Sequence, residues 1–245
     1  MSRLVRAELL KLASTRILLW LSLLILALVA LIVSLNAAQD SAQELMQAGR
    51  QRDLVSSAAV SVLIAMILGI VASAGEYAHG TISHTFLAAP ARVRVVAAKV
   101  VAAITAGLAL AVVAEVAALV LAALWIAGKS APSHLGSHDI RFLLLGTLLA
   151  AAVAGAIGVG LGALLRRQTA AIVLALVWLL VGEPLLAIGR IQPYAPGHSI
   201  AAVVAAGRHS AELLRFWPGL VLSLVYAFLL GAVGTYAVVR GDVTA

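Results

Sequence analysis

The chain has 245 residues, 63% of them hydrophobic and 11% charged, with a mean hydropathy of +1.11. A soluble domain holds about 45–50% apolar and about 25% charged residues, so the composition excludes a soluble globular protein and points to the membrane. The net charge is +7, but the cations cluster at the ends of apolar runs, as they do beside membrane spans, and form no stripe suited to nucleic acid. The chain has no cysteine, which excludes disulfides, thiol catalysis and cysteine-based zinc sites.

The N-terminal stretch RLVRAELLKL, Arg3 to Leu12, places Leu4 or Val5, Leu9 and Leu12 on one helical face and Arg3, Arg6 and Lys11 off it. A basic amphipathic helix of this kind lies in the membrane interface. The apolar run that follows, Ile17 to Asn36, is longer than the roughly 7–15 residues of a signal peptide. At 1.5 Å per residue it crosses a hydrocarbon core of ~30 Å, so it is expected to be retained as a first span.

Six segments reach spanning length: Ile17–Ala37, Ser57–Gly75, Val100–Ile126, Phe142–Leu165, Thr169–Ile188 and Pro218–Val239. Leu, Val, Ala and Ile run through each without the alternation of a membrane barrel strand, so the predicted fold is all-α and polytopic, with six transmembrane helices. The absence of repeats and linkers predicts one domain over 1–245. Lys and Arg are in excess on the side that carries Arg3, Arg92, Arg94, Arg166 and Arg240. The chain is therefore expected to be a multi-pass protein of the bacterial inner membrane with both termini cytoplasmic. The segment 190–217 is too long for a structureless loop, and short helices between Ser199 and Leu214 are predicted to cap the outer mouth.

Between the second and third spans the chain reads GEYAHGTISHTFLAAPARVRVVAAK, Gly75 to Lys99. Gly75 and Gly80 loosen the end of the span, and Ile82, Phe86 and Leu87 recur at helical spacing. Pro90 stops that helix, and Arg92, Arg94 and Lys99 anchor the next span. A short helix with an apolar edge, held between two spans, suits docking into a partner's groove.

The pattern Glu76, Gly80-Thr81, Leu87, Pro90, Arg92 and Lys99 resembles the ABC-2 type permeases, the membrane subunits of bacterial ABC exporters, and is close to the wording of actinobacterial members. The resemblance covers most of the chain, although Gly241 stands where relatives often carry a second arginine. It implies that Glu76, Gly80, Thr81, Ile82, Phe86, Leu87, Pro90, Arg92 and Arg94 form a coupling helix, about residues 76–99, that meets an ATPase subunit. It further implies two permeases, identical or homologous, and two ATPases.

Nothing in this chain is expected to bind ATP. The nearest match to a phosphate loop, AALWIAGKS, has Ala123 in place of the first glycine and ends an apolar span. ATP and Mg are therefore expected on the partner, and no catalytic residue is expected here.

Glu115 and Glu183 are the in-span carboxylates. A charge at mid-membrane costs at least ~2.5–3.5 kcal/mol, so each needs a partner, a cavity or water. Glu115 suits either a cavity that selects cations or a packed, hydrogen-bonded group, and Glu183, before Pro184, suits a hinge or gate. Gly158 and Gly162 have the spacing for close helix approach. His134 and His138 lack a third metal ligand, and His198-Ser199 and His209-Ser210 lack an orienting acid for hydrolysis. The alternatives to an exporter permease are an ion-gradient-driven transporter with Glu115 as the proton site and a non-transporting membrane scaffold. No substrate can be read from Leu, Val and Ala.

Overall fold

A computed structural model describes residues 1–78, 80–82, 85, 87, 89–189, 191–205 and 213–240. The architecture is all-α, and no strand occurs among the described residues. Helix α1 (Ser2–Ser14) precedes α2 (Ile17–Gln39), and the two meet at Arg16, whose positive φ of 56° breaks the helix. The short α3 (Ala42–Leu45) and α4 (Ala48–Val55) lead through a 3-10 turn, Ser56–Ala59, into α5 (Val60–Ala78). Then come α6 (Arg92–Gly128), α7 (His138–Leu165) and α8 (Gln168–Val177), the last continuing through a π-helical turn, Trp178–Gly182. Helices α9 (Pro196–Ala205) and α10 (Phe216–Arg240) complete the chain.

Six of these segments are long and apolar enough to cross a membrane: Ile17–Gln39, Ala48–Ala78, Arg92–Gly128, His138–Leu165, Gln168–Leu185 and Phe216–Arg240. The six predicted spans are all present, with moved boundaries. The second gains α4 at its start, which sequence reading leaves outside the span. The third begins at Arg92 rather than Val100. Its 37 residues make a rod of about 55 Å, which outruns the ~30 Å hydrocarbon core.

Helices α5 and α7 are the most buried spans, whereas α2, α8 and α10 turn most of their surface outward. The central seam is made by small residues. A Cβ on Gly162 would stand 2.7 Å from the Ile70 carbonyl oxygen and 2.9 Å from Ser73 Cβ, and one on Gly158 would overlap the Met66 carbonyl. The Gly158/Gly162 pair thus serves packing within the subunit, α7 against α5. On the other side of α7, a Cβ on Gly160 would lie 2.7 Å from the Leu230 carbonyl carbon of α10.

The end that carries α1, Glu76, Lys99, Arg166 and the close of α10 is one face of the molecule, here called the terminal face. Arg92 donates to the Val238 and Val239 carbonyls at 2.9 and 3.3 Å, and Arg166 donates to that of Ala237. On the opposite face, Gln51 donates to the Leu45 and Pro132 carbonyls and accepts from His134 N, each at 2.7 Å. Lys129 donates to the Ala37 and Asp40 carbonyls, and a capping box of Ser41 and Glu44 starts α3. The predicted outer helices of 190–217 appear as α9; the rest of that prediction, over 206–212, lies outside the described residues.

The seam makes a differential prediction. Gly158→Ala should lower stability by about 1–3 kcal/mol, since its methyl meets backbone that has no free rotamer. Gly231→Ala, where a Cβ would meet nothing within 4 Å, should be neutral. Thermal unfolding of both variants in nanodiscs compares them, and equal losses would refute the close-approach account.

Candidate functional site

Two polar clusters and one cavity stand out from the apolar helices. The first cluster joins three elements on the terminal face. Lys99, on α6, has a side chain only 4% exposed and lies 2.8 Å from Glu8 Oε2 and 2.9 Å from Glu76 Oε1. It also donates to the Ala72 carbonyl at 3.0 Å. Lys11 contacts Glu8 Oε1 and Glu76 Oε1, each at 2.7 Å. Two ammonium groups and two carboxylates thus tie α1, the end of α5 and the start of α6 into one knot.

Burial acts to lower the pKa of Lys11, but its hydrogen bonds to Glu76 and Glu8 and their charges prevail and raise it above the ordinary 10.5. A raised lysine pKa contributes stability that is complete below the unfolded value and is lost as pH rises through the folded one. The Lys11 contribution therefore persists across the neutral range.

This knot reassigns several residues singled out from sequence. Lys11 is not simply an interfacial cation, and Glu76 faces inward to two lysines. Arg3 and Arg6 stay exposed on α1, whereas Leu12 is buried and Leu4, Val5 and Leu9 are half-buried. Glu8 escaped sequence reading, although its i,i+3 spacing to Lys11 was a signal. Its link to Lys99, 91 positions away, had none.

Beyond the knot the chain reverses at Gly80, whose φ of +67° suits glycine. Thr81 N bonds back to the Glu76 carbonyl at 2.9 Å, and helical bonds run from Thr85 to Thr81 and from Ala89 to Thr85. Of the predicted coupling residues, Gly80, Thr81, Pro90 and Arg94 are exposed, and Leu87 is 80% exposed. Ile82 is buried, and Arg92 is engaged with the end of α10. Phe86 lies outside the described residues.

The second cluster centres on Glu183, which is 2% exposed although the outer end of a span could be wet. Its Oε1 accepts from Trp178 Nε1 at 3.0 Å and from Gly197 N at 2.5 Å. Its Oε2 accepts from His198 N at 3.0 Å and lies 2.7 Å from His198 Nδ1. The carboxylate caps the N-terminus of α9, where free amide groups favour a negative charge. His198 therefore has an acid beside it, in a structural clamp that joins the π-helical turn to α9. His209 and Ser210 lie outside the described residues. His138 is exposed beside Asp139, and no group of three metal-binding side chains occurs among the described residues.

The cavity, of about 750 Å³, runs between α4, α5, α7, α8 and α9. Val62, Met66, Ile157, Leu161, Leu174 and Ile200 represent its apolar wall, and Arg52, Asp53 and Ser56 stand at one end. The Glu183 clamp holds part of this wall, since Trp178 and Gly197 both face the cavity. Glu115 does not line it. That residue is 7% exposed on α6, and its Oε1 has no hydrogen-bond partner among the described residues.

The family of ABC-2 family transporter proteins matches residues 4–182. The chain belongs to that family. No curated protein matches it. The chain is thus a multi-pass permease of an ABC-type transporter. The matched region takes in the ionic knot, four of the permease's spans and the fifth as far as Gly182, and ends one residue before Glu183.

Two outcomes check the roles of these clusters. Lys99→Met in the permease leaves the buried Glu8 and the half-buried Glu76 to share the single ammonium of Lys11 and should cost about 3–5 kcal/mol. Adding Glu8→Gln and Glu76→Gln should restore most of that loss, as thermal unfolding would show. Glu183→Ala should speed amide hydrogen exchange at Gly197 and His198 while leaving α5 and α7 protected. Unchanged exchange would remove the clamp.

Proposed function

We propose that this permease is the membrane subunit of an exporter, that it works as a dimer, and that it is driven by a separate ATPase docked on the terminal face. That face is cytoplasmic in this reading, in keeping with the excess of Lys and Arg there. ATP and Mg bind to the partner, since the chain has no phosphate loop. The second permease is either an identical copy or a homologue.

The observation that carries the proposal is the brace behind the projecting segment. Residues 80–91 leave α5 just after Glu76 and enter α6 before Lys99, and those two side chains lie 2.9 Å apart. A push on the exposed tip at Leu87 is then transmitted to α1, α5 and α6 together. Closure of the ATPases would favour one arrangement of these helices through contacts that the other arrangement lacks, which is a population shift by differential binding.

The docking chemistry is apolar at Leu87 and cationic at Arg94. Leu87→Asp and Arg94→Glu should each weaken ATPase association by about tenfold or more while leaving membrane insertion intact, on the scale of an interface anchor. Co-purification with the candidate ATPase, followed by hydrolysis assays with and without the permease, measures this. Undiminished association and coupling in both variants would refute the docking surface.

A further inference from the structure

Two carboxyl groups lie within the spans, and their surroundings are opposite in kind. Glu183 accepts hydrogen bonds from Trp178 Nε1 and from the backbone amides of Gly197 and His198. Glu115, on α6, is 7% exposed, and its Oε1 is enclosed with no hydrogen-bond partner. No side-chain hydrogen bond or ion pair joins Glu115 to another described residue. It stands 16 positions from Lys99 and 14 from Lys129. Those separations are about 24 Å and about 21 Å of helix rise, which puts the carboxyl deep within a hydrocarbon core of ~30 Å.

The elements packed on α6 bring it no counter-charge. Helix α2 has no ionisable side chain. Glu8 and Lys11 of α1 and Glu76 of α5 close on one another and on Lys99. Arg3 and Arg6 are exposed, and Tyr77 lies beside the Arg166 guanidinium. On α4, Arg50 is paired with Asp40 and Arg52 donates to the Ala205 carbonyl, while Asp53 offers only like charge. His138, Asp139 and Arg141 are exposed at the start of α7. On α10, Tyr226 donates to the Tyr194 carbonyl and Arg240 lies over the Tyr236 ring.

Hydroxyl donors are equally absent. A Cβ on Gly107 would meet Ala65 Cβ and the Ala151 carbonyl oxygen, each at 3.2 Å. Two turns further along α6, that register brings Glu115 level with the early turns of α5 and α7. There Ser61 and Thr147 donate to the Ala58 and Leu143 carbonyls at 2.7 and 3.0 Å, so neither has a proton left for Glu115. An ionised carboxylate at this position would be a buried charge with neither cation nor donor, the costliest state for such a group. Taking up a proton removes the charge and leaves only a neutral carbonyl oxygen unpaired.

We propose that Glu115 holds a resident proton between α6 and α7, and that this neutral acid is the site at which an apolar carbodiimide modifies the chain. No hydrogen-bonded group among the described residues links Glu115 to either face, so the proton stays with it and is not relayed. In the modification, the acid proton passes to a carbodiimide nitrogen as the carboxyl oxygen adds to the central carbon. Acyl transfer from that oxygen to nitrogen then gives a stable N-acylurea, which retains every atom of the reagent. A carboxylate held by three donors, as at Glu183, has no acid proton to give.

The test uses the full chain alone in nanodiscs at neutral pH, so the outcome does not depend on ATPase docking. The protein is treated with dicyclohexylcarbodiimide or with a cationic, water-soluble carbodiimide, and adducts are mapped by mass spectrometry. Infrared difference spectra between the unsubstituted chain and Glu115→Gln report the protonation state directly. The apolar reagent should label Glu115 about tenfold or more over Glu183, the water-soluble reagent should leave Glu115 unmodified, and the difference spectrum should show the carbonyl band of a neutral acid. A carboxylate band in its place would overturn the proposal. Equal labelling of Glu115 and Glu183, or equal reaction with the two reagents, would overturn it as well. If Glu115→Gln fails to insert, mapping in the unsubstituted chain still decides, because the stretch between Lys99 and Lys129 contains no other side-chain carboxyl.

Discussion

The terminal face depends on one constraint: charges taken out of water must be balanced where they are buried. Lys99 is almost wholly enclosed, and removing an ammonium from water costs several kcal/mol unless opposite charge and hydrogen bonds replace the solvent. Glu8, Glu76 and the Ala72 carbonyl supply those contacts. They come from α1 and α5, so satisfying one lysine fixes the relative positions of three elements. Lys11 balances the second carboxylate oxygen of Glu8 and shares Glu76. An arrangement of this kind adds little net stability over an apolar core, but it is intolerant of misplacement. That intolerance suits a joint meant to pass on a displacement.

The opposite face solves a different problem with a similar device. The short helix that starts at Pro196 leaves its first amide groups without helical partners. Glu183 satisfies two of them, and its contact with Trp178 turns the end of α8 toward the start of α9. Between the two polar poles, α5 and α7 approach closely because Gly158 and Gly162 present no side chain there. The rigid pair at the centre and the outward-facing α2, α8 and α10 divide the permease into a packed core and a surface open to lipid or to a second subunit.

The cavity arises where this packing is incomplete. α9 and the π-helical turn close over one side of α5 and α7 and leave an apolar space there, with Arg52, Asp53 and Ser56 among its described lining residues.

The amino-acid sequence by itself determined the class of the molecule. Six runs long enough to cross a bilayer leave little alternative to helices, because lipid cannot satisfy a backbone amide. It also determined the amphipathic face of α1, the turn at Gly80 and the stop at Pro90, since each is set by local periodicity or backbone geometry. Only the tertiary structure decided which charges are solvated. Glu76 and Arg92 resemble ordinary flanking residues until Lys99 and the carbonyls of Val238 and Val239 are brought beside them. Likewise, His198 has no acid near it in sequence, and Glu183 stands 15 positions away. Periodicity is local and survives in the linear order, whereas electrostatic partners are chosen by distance in space, and that distance exists only once the helices have packed.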